Sequence, residues 1–356
     1  MNARTSSVLI AVIFSCWVGA TAWAQGFAGL GTSADGFAVP QRGTEFQFPD
    51  DFGAHPDFRI EWWYITANLK GPDGTDYGIQ WTLFRSALKP GEAAGWSSPQ
   101  VWMGNAALTT PSHHFVSEKL ARGGVGQAGV KANPFSAFID DWTMRSPSGT
   151  AFDLSSLDLS ASGLDFRYDL KLLADGPLVK HGENGYSIKS DAGQASYYYS
   201  QPFYSVTGTL DTPQGHVEVT GKAWLDREWS SQPLSDNQSG WDWFSLHFDD
   251  GAKLMAFRVR DDKSGYVTGT WIASDGTPAP LKPGEVILTP TSSQEVAGRQ
   301  LPLTWTIEVP GKGLSVTASA LNPNAWMNTR FPYWEGPVQI SGTHKGRGYL
   351  EMTGYK

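Results

Sequence analysis

Apolar and polar residues alternate with a period of two along most of this chain, and nowhere do apolar residues recur at three and four for the length of a helix. A period of two is the mark of a strand, whose successive side chains point to opposite faces. Asp73-Gly74 and Asp250-Gly251 punctuate such runs and are strong hairpin turns. One run departs from simple alternation. In "FRIEWWYITANL", Phe58 to Leu69, Arg59, Glu61, Trp63 and Ile65 share one face, while Ile60, Trp62, Tyr64 and Thr66 share the other. Both faces are largely apolar, so neither is expected to meet water. One face should line the interior of a barrel, and the other should be covered by loops or by a second unit.

The pattern also repeats at long range. "QPFYSVTGTLDTPQGHVEVTG" (Gln201–Gly221) matches "GPVQISGTHKGRGYLEMTG" (Gly336–Gly354), with Pro202 facing Pro337, Gly208-Thr209 facing Gly342-Thr343, and Glu218 to Gly221 facing Glu351 to Gly354. A weaker match sets "WYITANLKGPDGTDYGIQWTLFR" from Trp63 beside "WFSLHFDDGAKLMAFRVR" from Trp243. On that alignment Glu61 and Trp62 correspond to Trp241 and Asp242. The order repeats as well as the content, which predicts an all-β protein of two duplicated antiparallel barrels, residues 25–222 and 223–356, the first enlarged between Ser86 and Tyr197. Closed barrels remove exposed strand edges and enclose a cavity suited to a small apolar ligand.

Composition agrees with many turns and many rings: 40 glycines, 22 prolines and 13% aromatic residues. With 27 basic against 35 acidic residues, a net charge of −8 and no basic cluster, nucleic acid is not an expected partner. The first 24 residues read as a cleaved signal peptide, apolar from Val8 to about Ala20 and ending Ala22-Trp23-Ala24. The apolar run is too short for a comfortable span. The single cysteine, Cys16, lies within it. The expected product is therefore periplasmic or secreted, cysteine-free and without a transmembrane segment.

The candidate chemistry consists of carboxylates beside rings. Glu61 precedes three aromatic residues, and in an apolar wall it must find a cation or take up a proton. Arginines such as Arg85 or Arg258 are expected to stack on Trp63 and Trp243. In "GKAWLDREWSSQPL" (Gly221–Leu234), Lys222, Trp224, Asp226 and Glu228 share one face and Arg227 takes the other. Two carboxyls brought together push their pKa values apart, which makes one an acid at neutral pH; the same cluster equally suits an ion-pair fastening between barrels. Glu61, Asp226 and Glu228 are the candidate catalytic acids. Trp62, Tyr64, Trp224, Trp241, Trp243, His247 and Trp334 are the candidate ligand-binding residues, Trp334 lying in "FPYWEGP" beside Glu335. No Gly-x-Ser-x-Gly elbow, His-x-His pair, Glu-x-x-His pair or phosphate loop occurs, so neither a metal nor another cofactor is expected.

"FRIEWWYITANL", "GKAWLDREWSSQPL", "GWDWFSLHF" and "YWEGPVQISG" together resemble the AttH-like family of secreted two-domain lipocalin-like proteins, related to the carotenoid 1,2-hydratases (hydroxyneurosporene synthases). The resemblance runs from about Gly36 to the end. It implies two lipocalin-like barrels with a ligand site between or within them. In the hydratases a carboxylic acid protonates an isolated alkene and water captures the cation. Their motif carries a histidine two residues before a tryptophan where this chain has Lys222, so only Trp224 carries over, as a pocket wall. The leading expectation is a periplasmic binder of an isoprenoid- or lipid-like molecule, with an envelope transporter as candidate partner. The alternative is a cofactor-free lyase or isomerase of the hydratase type.

Overall fold

A computed structural model describes Ala28, Leu30, residues 33–147 and residues 153–355; the expected signal peptide lies outside the described residues. The first half forms β1 (Ile60–Lys70), β2 (Asp76–Ala87), β3 (Gln100–Thr109), β4 (His114–Arg122), β5 (Ala128–Ala132), β6 (Phe135–Ile139), β7 (Trp142–Arg145), β8 (Ser156–Ser162), β9 (Arg167–Ala174), β10 (Val179–Lys180), β11 (Tyr186–Ile188), β12 (Ala195–Thr212) and β13 (Gly215–Ser230). The second half forms β14 (Gly240–Phe248), β15 (Lys253–Arg260), β16 (Tyr266–Ile272), β17 (Pro278–Leu281), β18 (Ile287–Val296), β19 (Arg299–Val309), β20 (Leu314–Ala320), β21 (Trp326–Met327), β22 (Tyr333–Gly342) and β23 (Gly346–Met352). The helical turns among the described residues span three residues each, and no helix is long and apolar enough to cross a membrane.

Each half is one antiparallel sheet wrapped as a lipocalin-like barrel. The first runs β4-β3-β2-β1-β13-β12-β9-β8-β7-β6-β5 and the second β17-β16-β15-β14-β23-β22-β20-β19-β18. In both, the opening strand pairs on one side with its hairpin partner and on the other with the last strand of its half. The sequence repeat therefore falls on equivalent strands, β12/β13 in one sheet and β22/β23 in the other, although its matched residues are offset along them. Its glycines show why they recur. A Cβ at Gly208 would lie 2.2 Å from the Asp169 carbonyl oxygen, and one at Gly342 would lie 2.6 Å from that of Ser315. Both sit where the neighbouring strand comes too close for a side chain.

Each sheet wraps its own dry core, with Trp63, Trp81 and Trp142 in the first and Phe244, Trp305 and Trp334 in the second. The barrel interiors are filled. A third apolar cluster, including Tyr64, Tyr198, Trp224, Trp243, Phe257 and Tyr349, joins the two sheets. The covered outer face of β1 thus meets the second unit.

The structure corrects the alignment of the two opening strands by one residue. Trp63 packs in the first core, whereas Trp243 faces the other sheet. Glu61 pairs in register with Arg85 of β2, and Asp242 with Arg258 of β15. "EWWY" at Glu61 therefore corresponds to "DWFS" at Asp242, because a slip of one residue exchanges the faces of a strand. The stacked arginines shift accordingly: Arg227 lies 3.9 Å over Trp63, and Arg258 lies 4.8 Å over Trp305. β13 is continuous across 222 and 223. We propose instead that the units divide in the segment 231–239, between the two sheets.

Candidate functional site

Strand pairing arranges the outer face of the first sheet in rows. Tyr198 (β12), Glu228 (β13), Trp62 (β1), Phe84 (β2) and Met103 (β3) lie side by side in one row. Ser200, Asp226, Tyr64, Thr82 and Asn105 form the next. Between these rows and the second sheet lies a cavity of about 300 Å³, within the range of small-molecule sites. The second sheet contributes Trp241, Trp243, Phe257, Tyr333 and Glu351 to its walls. Rings thus face the space from both units, and a few polar groups converge on it.

Three carboxyls reach the wall. Asp226 is buried and accepts hydrogen bonds from Tyr198 Oη (2.6 Å), Trp224 Nε1 (2.6 Å) and Ser200 Oγ. Burial pushes its pKa up to about 7, against those three donors, and the neighbouring Glu228 adds to the rise. Glu228 takes a different partner: Lys189 Nζ lies 2.8 Å from its Oε1, and Ser196 Oγ donates to the same oxygen. The Lys189 ammonium also lies 4.2 Å over the Phe257 ring. Glu351 accepts from Trp241 Nε1 at 2.6 Å. Burial pushes it up to about 8, opposed by that bond and assisted by Asp226 and Glu228. Directly opposite Glu351, across β22/β23, stands Glu335, fully buried and bonded by Tyr64 Oη. Burial and the Glu351 charge raise Glu335 well above the usual carboxylate range.

The tryptophans of β14 serve both groups of acids. Trp243 Nε1 donates to Tyr198 Oη at 3.0 Å, whose hydroxyl in turn serves Asp226, while Trp241 serves Glu351. Behind Asp226 a buried chain continues: His181 Nε2 lies 2.6 Å from Ser200 Oγ, and His181 Nδ1 lies 2.9 Å from Thr270 Oγ1. Burial lowers the His181 pKa to about 3, with Lys189 adding to the effect, so the ring is neutral at neutral pH.

Asp226, Glu228, Trp62, Tyr64, Trp241 and Trp243 all border the cavity. Glu61 points the other way. It is buried beneath the cavity floor between Arg85 and Arg227, with Arg227 Nη2 at 2.5 Å and the His55 backbone N–H at 2.8 Å. Burial alone would raise its pKa, but the two guanidinium charges and His55 outweigh that and hold it below the usual carboxylate range. Trp224 stands behind Asp226 as its donor. His247 bonds the Pro202 carbonyl at 2.9 Å and is lowered to about 4 by burial. Trp334 belongs to the second core, where its indole donates to Pro323 O. Tyr198, Lys189, Asn105, Tyr333 and Glu351 escaped the sequence reading. Glu351 alone carried a signal, as part of the repeated hairpin. Among the described residues no group of three or more His, Cys, Asp or Glu is placed to hold a metal ion.

Fold and site define a class: a two-unit, lipocalin-like β protein with acids set in an apolar cavity between its units. The chain belongs to the AttH-like family, whose model matches residues 39–355. The crystal structure of a putative AttH from Nitrosomonas europaea superposes with a TM-score of 0.80 at 34% identity, over 90% of this chain and 99% of that one. Kievitone hydratase from Nectria haematococca shares the fold, with a TM-score of 0.66 at 15% identity over 89% of this chain and 98% of its own. CghA in complex with Sch210972 shares it more distantly, at 0.54 and 12%, over 90% and 97%. No curated protein matches the chain in sequence.

Proposed function

We propose that the cavity takes an apolar, isoprenoid- or lipid-like molecule and that Asp226 protonates a double bond of it, in a cofactor-free hydro-lyase or isomerase reaction. The observation that carries this reading is a buried carboxyl in the wall of a ring-lined cavity, raised to about 7. A neutral carboxylic acid in such a setting is a competent proton donor. Its O–H proton passes to one alkene carbon, forming a C–H bond and leaving a carbocation and the Asp226 carboxylate. Tyr198, Trp224 and Ser200 already donate to that carboxylate. Trp62 and Trp243 line the cavity, and aromatic ring faces favour positive charge. Water then adds and returns a proton to Asp226, giving an alcohol, or an adjacent C–H yields its proton to Asp226, giving an isomer. Kievitone hydratase, a hydratase by name on the same fold, supports the choice of reaction class. We place the mature protein in the periplasm or outside the cell, on the reading of residues 1–24 as a signal peptide.

A second reading keeps the same cavity without chemistry, as a carrier that delivers its ligand to an envelope transporter. The cavity's ring-rich wall by itself favours that reading. β-Farnesene and squalene incubated with the protein in D₂O separate the two. The enzyme places solvent deuterium on carbon in the alcohol or isomeric polyene it forms, and Asp226→Asn lowers the rate about 100-fold, the scale for losing a general acid, with binding retained. Binding without any deuterium uptake by the wild type would leave the carrier.

A further inference from the structure

Leu120, Arg330 and Phe331 line the cavity and are exposed, so they mark a mouth. They stand at the β4 edge of the first sheet. Leu120 lies opposite Met103 of the cavity wall, and the Arg330 backbone N–H donates to Glu118, two residues earlier on β4, at 2.8 Å. The edge continues into the loop between β2 and β3, whose flanking residues Ser86 and Val101 also line the cavity. Within that loop the Leu88 N–H bonds the Pro99 carbonyl, and the Gly95 N–H bonds the Gly124 carbonyl just beyond β4. The Arg122 guanidinium donates to Ser98 O at 3.1 Å. Loop, strand end and mouth are thus one continuous surface.

That surface is unusually apolar. Of nine large apolar side chains exposed among the described residues, four belong to it: Trp96 at 76%, Leu88 at 68%, Leu120 at 45% and Phe331 at 38%. Exposed apolar residues scattered singly need no explanation, but a group of them around an apolar opening marks an interaction surface. Its charge also departs from that of the chain. Lys89, Arg122 and Arg330 are set here against Glu92 and Glu118, three cations to two carboxylates, whereas the whole chain carries −8. A tryptophan and leucines among basic side chains match the boundary of a bilayer, where rings sit at headgroup depth and cations meet phosphates. A protein docked on this edge would cover the mouth. A bilayer would instead open it onto the apolar phase in which a lipid-like molecule dissolves.

We propose that this edge docks on a phospholipid membrane. Leu88, Trp96, Leu120 and Phe331 enter the headgroup region, Lys89, Arg122 and Arg330 meet the phosphates, and the mouth faces the acyl chains. The ligand then passes between membrane and cavity without crossing water. That purpose rests on the ligand reading given above, whereas the docking itself rests on the edge.

Flotation of the mature protein, residues 25–356, with vesicles of equal parts phosphatidylcholine and phosphatidylglycerol tests it without any ligand. The wild type is expected to float with the vesicles. Trp96→Ser and Leu120→Ser should each weaken partitioning about tenfold, the scale for withdrawing one large apolar side chain. Leu173→Ser is the control: it is 62% exposed, on β9, which adds no residue to the cavity wall, and it should partition as the wild type does. All three are surface changes that leave the core intact. A wild type that stays with the unbound protein would overturn the docking and leave the edge to a protein partner. Partitioning unchanged by both rim variants, or weakened as much by Leu173→Ser, would overturn it too. So would association that high salt abolishes and neither rim variant weakens, since that is adsorption by charge alone. None of these results touches the ligand reading, because the deuterium experiment uses no vesicles.

Discussion

Glu61, Asp242 and Asp226 show how buried carboxyls take opposite roles. Glu61 and Asp242 are fully buried, and each is bound by two arginines: Glu61 by Arg85 and Arg227, Asp242 by Arg258 and Arg260. Asp226, buried as deeply, has no cation and rises instead. The sequence made both outcomes visible for Glu61, a salt bridge or a proton, but its partner Arg227 lies 166 residues away, beyond the reach of local pattern. Removing one member of a buried ion pair leaves the others uncompensated, which costs about 3–5 kcal/mol. Glu61→Gln is therefore expected to lose stability on that scale in urea unfolding, whereas Asp226→Asn, which removes no ion pair, is expected to unfold close to the wild type. Wild-type stability of Glu61→Gln would refute the structural role assigned to it.

At the scale of elements, what was legible was what is local. Turn chemistry at Asp73-Gly74 and Asp250-Gly251, alternation, and the Gly-Thr hairpins are each encoded within about twenty residues, and all of them form as hairpins. Register across the repeat was not legible. Aligning the prominent tryptophans placed Trp63 on Trp243, while the buried acids align Glu61 with Asp242. Glu351 was hidden differently: the sequence repeat matches it to the exposed Glu218, whereas in the sheets it stands opposite Trp243 as Glu228 stands opposite Trp62, so identical letters masked different surroundings. Gly208 and Gly342 are the repeat's structural signature, since a Cβ at either would fall 2.2 or 2.6 Å from a neighbouring carbonyl oxygen. Alanine at either position must spread the strands, and each variant is expected to lose about 1–3 kcal/mol, seen as a lowered midpoint in urea. Exposed Gly298, whose Cβ position is empty but whose φ is +77°, is a useful contrast: there alanine costs only backbone strain.

The cavity belongs to neither sheet alone, which is why strand pattern announced its rings and acids but not its place. It exists because two outer faces dock, and docking brings Asp226 of the first unit into the electrostatic range of Glu351 of the second. The joint therefore carries a pH dependence. Both groups ionise at higher pH in the folded protein than when unfolded, to about 7 from 3.8 for Asp226 and to about 8 from 4.5 for Glu351. Between those limits the unfolded chain holds fewer protons than the folded one, so stability falls as pH rises. Their contribution is complete below about pH 4 and is lost as pH climbs through 7 and 8. Glu61 acts with the opposite sign, since its folded pKa is depressed: its contribution is present above about 4.5 and fades under stronger acid. Buried His114, His181 and His247 are held to about 4, 3 and 4 against 6.5 when unfolded. They add stability as pH rises to about 6.5, so melting temperature should peak near pH 6.5 and decline by several degrees toward pH 9. The Asp226→Asn, Glu351→Gln double variant should reduce the alkaline decline, to which the raised Glu335 also contributes, while leaving the acid limb, set by Glu61 and the buried histidines, in place. A wild-type melting temperature that stays level or climbs from pH 6.5 to 9, above the range of the histidines, would mean that these two carboxyls are already ionised in the folded protein, and Asp226 would then have no proton to give.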